Sequence, residues 1–166
     1  MRLRQRDSVT CGPSVAIVAG ALLDSAYSAQ LTAADWFAHE QGRVHRDINR
    51  IWPRALGATP AGMARALTVH STPRGVRYRW RISRCRRDRL ADVRAAVSAG
   101  LPVAMLVGNV IPRHWVLLVD LDSAGDAFRC YEPSSGQIRS VSVDDIRAGR
   151  LTGIGFSRPF AFTVPT

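Results

Sequence analysis

The chain has 166 residues, of which 46% are hydrophobic and 22% are charged. This size and composition are typical of one folded globular domain and exclude a disordered tail, so we expect a single domain over residues 1–166. The 23 basic residues outnumber the 13 acidic ones, and all of them are arginine. A positive balance favours acidic partners. The complete absence of lysine indicates a genome-wide codon bias, however, so a nucleic acid is not the partner that we expect.

Three cysteines, Cys11, Cys85 and Cys130, form neither a zinc-binding pattern nor a disulfide framework, because no two of them are close in sequence. We therefore expect free thiols, no metal and no other cofactor. The N-terminus has no apolar signal region, and no apolar run reaches the ~20 residues that span a bilayer. These features predict a cytoplasmic setting, with export by a specialised machine left open.

The first predicted element is a helix over residues 12–23. Its sequence from residue 14 onward is apolar nearly all round, which is typical of a helix buried in the middle of a domain. Pro13 suits the first helical turn, where no backbone N–H is needed. Thr10 is in position to cap this end of the helix. Cys11 is therefore expected at the N-terminus of a buried helix.

Helices are predicted to come first in the chain and strands second. An alternation with a period of two in residues 76–82 predicts a strand with one solvent-facing face. Residues 88–99 predict an amphipathic helix that ends at Gly100. An antiparallel meander after this helix makes the fold α+β. The other predicted elements are helices over 33–38 and 60–67, helical turns between 47 and 56 that Pro53 interrupts, and strands over 102–107, 115–121, 126–132 and 137–143.

Cys11 is the candidate nucleophile. A thiol reacts as the thiolate, which the free N–H groups and positive dipole end of a helix N-terminus favour. Gly12 is expected to leave one side of the sulfur open to a substrate carbonyl. Gln5 lies six residues before the cysteine, and its amide is a candidate oxyanion-hole donor together with the backbone N–H of Cys11.

His114 is the candidate base. It immediately precedes the apolar strand predicted over 115–121, where a rigid scaffold presents a functional group. The other histidines, His39, His45 and His70, lie in polar or turn-rich segments and are expected to be solvated.

A catalytic histidine needs a third group that accepts its other N–H. Glu132 follows His114 by eighteen residues at the end of the neighbouring predicted strand, and we expect it to contact the imidazole. Asp120 and Asp122 are alternatives, but they lie at the turn end of the same hairpin. Cys130 is expected to pack in the core.

Together these residues resemble the papain-like cysteine peptidases, and most closely the bacteriocin-processing, double-glycine leader peptidase-like family. The resemblance implies a papain-like α+β fold, with Cys11 as nucleophile, His114 as general base and acid, and Gln5 in the oxyanion hole. The family usually has Asp or Asn where this chain has Glu132, whose extra methylene moves the carboxylate farther out. The matching stretches are Gln5, TCGPS at 10–14, HWVLL at 114–118 and EPSSG at 132–136.

The sequence thus predicts a cysteine hydrolase that acts on peptide or amide bonds through a thioester, with a peptide or protein substrate of acidic character. One alternative is a deamidase or acyltransferase of the effector type. A second is a non-catalytic peptide-binding module of the same fold. The third is nucleic-acid binding through the arginine-rich residues 74–89, in which Tyr78 and Trp80 are interleaved as stacking groups.

Overall fold

The computed structural model describes residues 3–7, 10–31, 34–48 and 58–166. Beyond Ile48, the helical turns predicted between 47 and 56 lie outside the described residues. No helix within the described ranges combines the length and the apolar character needed to cross a membrane.

The chain begins with helices, as predicted. The first of them is buried because its residues are apolar nearly all round, with Val15 and Ile17 fully inaccessible to solvent. The second and third predicted helices exist but extend well beyond their predicted C-terminal ends. The helices that precede the sheet are α1 (Cys11–Leu23), α2 (Ser25–Ser28), α3 (Ala34–Ile48) and α4 (Pro60–Ser71).

The predicted cap of α1 is wrong. Thr10 occupies the N-cap position, but its side chain makes no capping hydrogen bond. Its hydroxyl oxygen instead accepts hydrogen bonds from the backbone N–H groups of Arg6 and Asp7, each at 3.1 Å. The threonine therefore ties the N-terminal segment to the start of α1, directly beside Cys11.

In the described residues, six antiparallel strands form one sheet in the order β1-β6-β2-β3-β4-β5. The predicted α+β class is confirmed, and so is the meander from β2 to β5. The last strand was not predicted, and it returns to pair between β1 and β2. The strands are β1 (Tyr78–Ile82), β2 (Val103–Gly108), β3 (Pro112–Leu121), β4 (Ala127–Glu132), β5 (Gln137–Ser142) and β6 (Arg158–Pro165), with helices α5 (Ala91–Ser98) and α6 (Val143–Ala148) between them.

The sheet has a helix layer on each face. Successive residues of a strand point to opposite faces, so Trp115 and Leu117 of β3 pack in the core around α1, whereas Val116 and Leu118 pack in the core around α5 and α6. The helix that begins with Cys11 therefore packs directly against the strand that carries His114.

The prediction that β1 has only one solvent-facing side is wrong, because residues on both sides of the strand are exposed. Tyr78 is buried, but Trp80 and Ile82, on the same side of the strand, are 46% and 67% exposed. Arg81, on the other side, is half-buried and lies 4.9 Å above the ring of Phe162. β1 is one of the two edge strands of the sheet, and its backbone N–H at Tyr78 bonds to the hydroxyl of Thr68 on α4.

The helix predicted over 88–99 begins three residues later, at Ala91. The carboxylate of Asp88 accepts hydrogen bonds from the backbone N–H groups of Arg84 and Leu90, which keeps the preceding residues in a loop. The helix ends as predicted, because Gly100 adopts the left-handed φ of +71° that a glycine tolerates after a helix.

The hairpin between β2 and β3 presents His114, which pairs with Val107 in the strand register. At its tip, a side chain on Gly108 would collide with the backbone carbonyl of Ile111. The side-chain oxygen of Asn109 also accepts a hydrogen bond from the backbone N–H of Ser157, at 2.9 Å. Close backbone approach at this glycine therefore shapes the turn that leads into His114.

We expect the substitution Gly108→Ala to lower the free energy of unfolding by about 2 kcal/mol, the usual cost of overpacking. The added methyl group would overlap a backbone atom, which cannot move aside as a flexible side chain can. Gly153→Ala is the matched control, because a Cβ there meets no atom within 4 Å. Urea denaturation of both variants measures the effect, and equal stabilities would contradict this account of the hairpin.

Candidate active site

Cys11 is the first residue of α1 and is 3% exposed. Its neighbour Gly12 also has a packing role, which was not predicted. A Cβ at residue 12 would lie 2.5 Å from the Cβ of Ala58 and 3.3 Å from Cδ1 of Trp115. The indole N–H of Trp115 also donates to the carbonyl of Ala58, at 2.9 Å. The glycine thus allows the start of α1 to pack tightly against these two residues.

His114 contacts the two other candidate residues. Its Nε2 lies 2.8 Å from Oε1 of Glu132, and the side chain of Cys11 lies close enough to raise the pKa of the ring. Because Glu132 occupies Nε2, the ring nitrogen available to the sulfur is Nδ1. The structure therefore brings together the thiol, the imidazole and the carboxylate in that order.

The turn after β4 holds Glu132 in place. Its Oε1 accepts the backbone N–H of Ser134 and its Oε2 accepts that of Ser135, both at 2.8 Å. The backbone N–H of Gly136 donates to the carbonyl of Glu132, also at 2.8 Å. The extra methylene of glutamate therefore does not prevent contact with His114, because the turn amides position its longer side chain.

Burial and the neighbouring polar groups shift the pKa values of His114 and Glu132 in opposite directions. Burial raises the pKa of Glu132, but hydrogen bonds from His114, Ser134 and Ser135 hold it well below its usual range. Burial lowers the pKa of His114, but hydrogen bonds and charges from Cys11 and Glu132 outweigh it and raise the pKa to about 9. At neutral pH the pair is therefore an imidazolium facing a carboxylate.

Phe156 supports the imidazole from one side. Its ring stacks on that of His114, with centroids 5.1 Å apart and planes inclined by 19°. This residue lies just before β6, a part of the chain for which no element was predicted and which holds no recognisable motif. Sequence reasoning therefore missed it, although stacking restricts the orientations that the ring can adopt.

Gln5 reaches this region through its backbone. Its N–H donates to the carbonyl of Pro133 at 2.8 Å, and the hydroxyl of Tyr131 donates to the carbonyl of Leu3 at 2.7 Å. The N-terminal segment thus lies along the turn that follows Glu132. The side-chain oxygen of Gln5 is buried and has no hydrogen-bond partner among the described residues. Such a group ordinarily costs about 1–3 kcal/mol.

The alternative acids and the second buried thiol have structural roles. A carboxylate oxygen of Asp122 accepts the backbone N–H of Asp126 at 2.7 Å in the β3–β4 turn. Asp120 is exposed, with a carboxylate oxygen 3.7 Å from Arg129. Cys130 is fully buried, and burial raises its pKa to about 12, in agreement with the predicted packing role. Within the described ranges, no three His, Cys, Asp or Glu residues are grouped to hold a metal ion.

The expectation that the other histidines are solvated is wrong for two of them. His39 is exposed, whereas His45 is 4% exposed. The ring of His70 packs 4.2 Å from that of Tyr27, and burial lowers the pKa of His70. The buried His45 and the half-buried His70 lie in the parts of α3 and α4 that extend beyond the predicted helices, so the packing of these helices was not foreseen.

We expect the substitution Glu132→Gln to lower the pKa of His114 from about 9 toward or below its ordinary value of ~6.5, because burial would then act with less opposition. Cys11→Ala should also lower it. NMR titration of the His114 ring measures both effects. Asp120→Asn is the control, because it removes a carboxylate from the same hairpin without touching the ring. An unchanged midpoint in the first two variants would contradict the proposed electrostatics.

Comparison of the sequence with known proteins gives no match, either to a protein-family model or to a curated protein. The resemblance to papain-like cysteine peptidases therefore depends on the short motifs around Cys11, His114 and Glu132. The chemistry that the site supports must be inferred from its own contacts and charges.

Proposed function

We propose that the protein is a cysteine hydrolase of papain-like fold, which cleaves peptide or amide bonds through a thioester acyl-enzyme. One observation carries this proposal: Cys11, at the start of a buried helix, lies close enough to His114 to raise the pKa of its ring, and Nε2 of that ring lies 2.8 Å from Oε1 of Glu132. A nucleophile, a base within its reach and a third group that orients the base are the parts that such catalysis requires.

The surroundings of Cys11 favour attack by its sulfur. His114 is protonated at neutral pH because its pKa is about 9, so a positive charge faces the thiol. The helix N-terminus adds unpaired N–H groups and the positive end of the helix dipole. Both features favour the thiolate, which is the nucleophilic form of cysteine.

The reaction then proceeds in two stages. The thiolate sulfur of Cys11 attacks the substrate carbonyl carbon, and His114 gives its proton to the leaving amine as the C–N bond breaks. The product of this stage is a thioester. His114 next takes a proton from water, whose oxygen attacks the thioester, releasing the carboxylic acid and the thiol. Glu132 holds the imidazole in the orientation that serves both stages.

The developing oxyanion needs hydrogen-bond donors. We assign this role to the backbone N–H of Cys11 and to the side-chain amide of Gln5. The support for Gln5 is that its backbone bonds to the turn after Glu132, and that its buried side-chain oxygen has no partner among the described residues.

The substrate that we propose is an acidic peptide or protein segment. Three exposed arginines, Arg4, Arg6 and Arg113, are close in sequence to Gln5 and His114. Arg113 forms no ion pair with any described residue. Acidic residues in a substrate would therefore meet complementary charge beside the site, which strengthens attraction at low ionic strength.

The first test compares the chain with its Cys11→Ala variant by mass spectrometry of acidic peptides. We expect cleavage to fall by ~10⁴-fold or more, as when a catalytic nucleophile is removed. Labelling by an electrophilic peptide probe should disappear with it. Both proteins should also carry Cys85→Ala, because Cys85 is an exposed thiol that would take up the label, whereas Cys130 is buried.

Cleavage that persists in the Cys11→Ala protein would contradict the proposed nucleophile. Ammonia release from glutamine side chains without chain cleavage would indicate that the same thiol catalyses deamidation and not hydrolysis of the peptide bond. Binding of peptides with neither reaction would favour the non-catalytic module.

The second test is the substitution Gln5→Ala. Loss of one oxyanion donor typically lowers kcat by ~10²–10³-fold, and we expect a similar decrease with little change in KM, because the donor acts on the charge that develops during reaction. Gln30→Ala, at an exposed position on the chain, is the matched control. Steady-state kinetics on the best peptide measures both variants. A normal kcat in Gln5→Ala would remove Gln5 from the site.

A further inference from the structure

A concavity of about 420 Å³ lies on the side of the sheet covered by α5, away from Cys11. It occupies the region where β1, the loop 83–90 and the start of α5 meet. Five arginines and two aspartates line it, which leaves a formal balance of three positive charges. The five arginines are Arg79, Arg81, Arg84, Arg87 and Arg89.

One arginine forms ion pairs with both aspartates. Nη1 of Arg81 lies 2.6 Å from Oδ2 of Asp88, and its Nε lies 2.6 Å from Oδ2 of Asp92. The other four arginines form no side-chain hydrogen bond and no ion pair with any described residue. The carboxylates of the concavity are thus already engaged, while four guanidinium groups keep their hydrogen-bond donors for a ligand.

The loop that presents Arg84, Arg87 and Arg89 is held in one shape. Cys85 and Leu90 have φ angles of +51° and +53°, in the left-handed region that side chains other than glycine seldom adopt. From α6, Arg147 donates to the backbone carbonyls of Asp88 at 3.0 Å and Arg86 at 3.3 Å. Contacts with neighbouring elements therefore hold the loop in a strained backbone conformation that keeps its arginines close together. Such preorganisation lowers the free-energy cost of binding an anion.

The chemistry of the concavity favours phosphate. A guanidinium group matches phosphate oxygens with two parallel hydrogen bonds. A single carboxylate cannot pair with all four unpaired guanidinium groups. A ligand that carries several negative charges therefore fits better. No aromatic side chain among the described residues lines the concavity, and the stacking surface predicted from Tyr78 and Trp80 is wrong. Tyr78 is buried, with its hydroxyl bonded to the carbonyl of Pro102, and Trp80 points to the opposite face.

We propose that this concavity binds a short phosphate chain, such as that of inorganic tripolyphosphate or of a nucleoside triphosphate. The phosphate oxygens pair with Arg84, Arg87, Arg89 and Arg79, and a base adds nothing to the affinity. The site lies on the other side of the sheet from the thiol and does not depend on the proposed hydrolase activity.

The test is isothermal titration calorimetry of the full chain with tripolyphosphate, at an ionic strength of about 0.15 M, where diffuse surface charge is largely screened. We expect saturable binding of one ligand per chain. A nucleoside triphosphate should bind with similar affinity. The double substitution Arg84→Ala with Arg87→Ala should weaken binding by about tenfold or more for each arginine removed.

The control is Arg65→Ala with Arg129→Ala, which removes the same charge from exposed positions elsewhere and should change the affinity by less than about twofold. A charge-preserving variant, Arg84→Lys with Arg87→Lys, tests the need for the guanidinium fork in a chain whose net charge is unaltered, and it should also bind more weakly.

Three results would overturn the proposal. The first is the absence of saturable binding, and the second is an equal loss in the control variant, which would indicate diffuse charge only. The third is binding of single-stranded oligonucleotides without binding of tripolyphosphate, which would assign the surface to a nucleic-acid polymer.

Discussion

The buried contact between His114 and Glu132 is the interaction on which the site depends. Each residue is 6% exposed, and burial alone would favour the neutral form of both. Together they are ionised, because the carboxylate receives the imidazole N–H and two backbone amides of the turn at Ser134 and Ser135. Removal of either partner would leave an uncompensated group in the interior. Each partner therefore depends on the other for its stability in the interior.

The scaffold brings this pair to the thiol by joining segments that are distant in sequence. α1 supplies Cys11, β3 supplies His114, and the end of β4 supplies Glu132. The N-terminal segment lies along the β4–β5 turn through the bond from Gln5 to Pro133. Because the strand register and tight packing at Gly12 position these segments, the site needs no disulfide to connect them, and all three cysteines are free thiols.

A second group of side chains with compensating charges lies on the other side of the sheet. Arg81 is half-buried, and Asp88 and Asp92 compensate its charge much as Glu132 compensates that of His114. The two ionic centres differ in their surroundings. Around Arg81, four further arginines form no ion pair with any residue that the structure describes, and on this difference the proposed phosphate site rests.

The sequence by itself determined the α+β class, the buried first helix and the strands β2 to β5. It also indicated that the side chains of Cys11, His114 and Glu132 lie together. These features follow from local periodicity and from the chemistry of single residues, which a short segment already contains. Only the tertiary structure decided that β6 inserts beside β1, that Phe156 stacks on the imidazole and that Trp80 is exposed. A periodic pattern reports which residues share a face, but burial depends on which distant segment covers that face, and no local pattern carries that information.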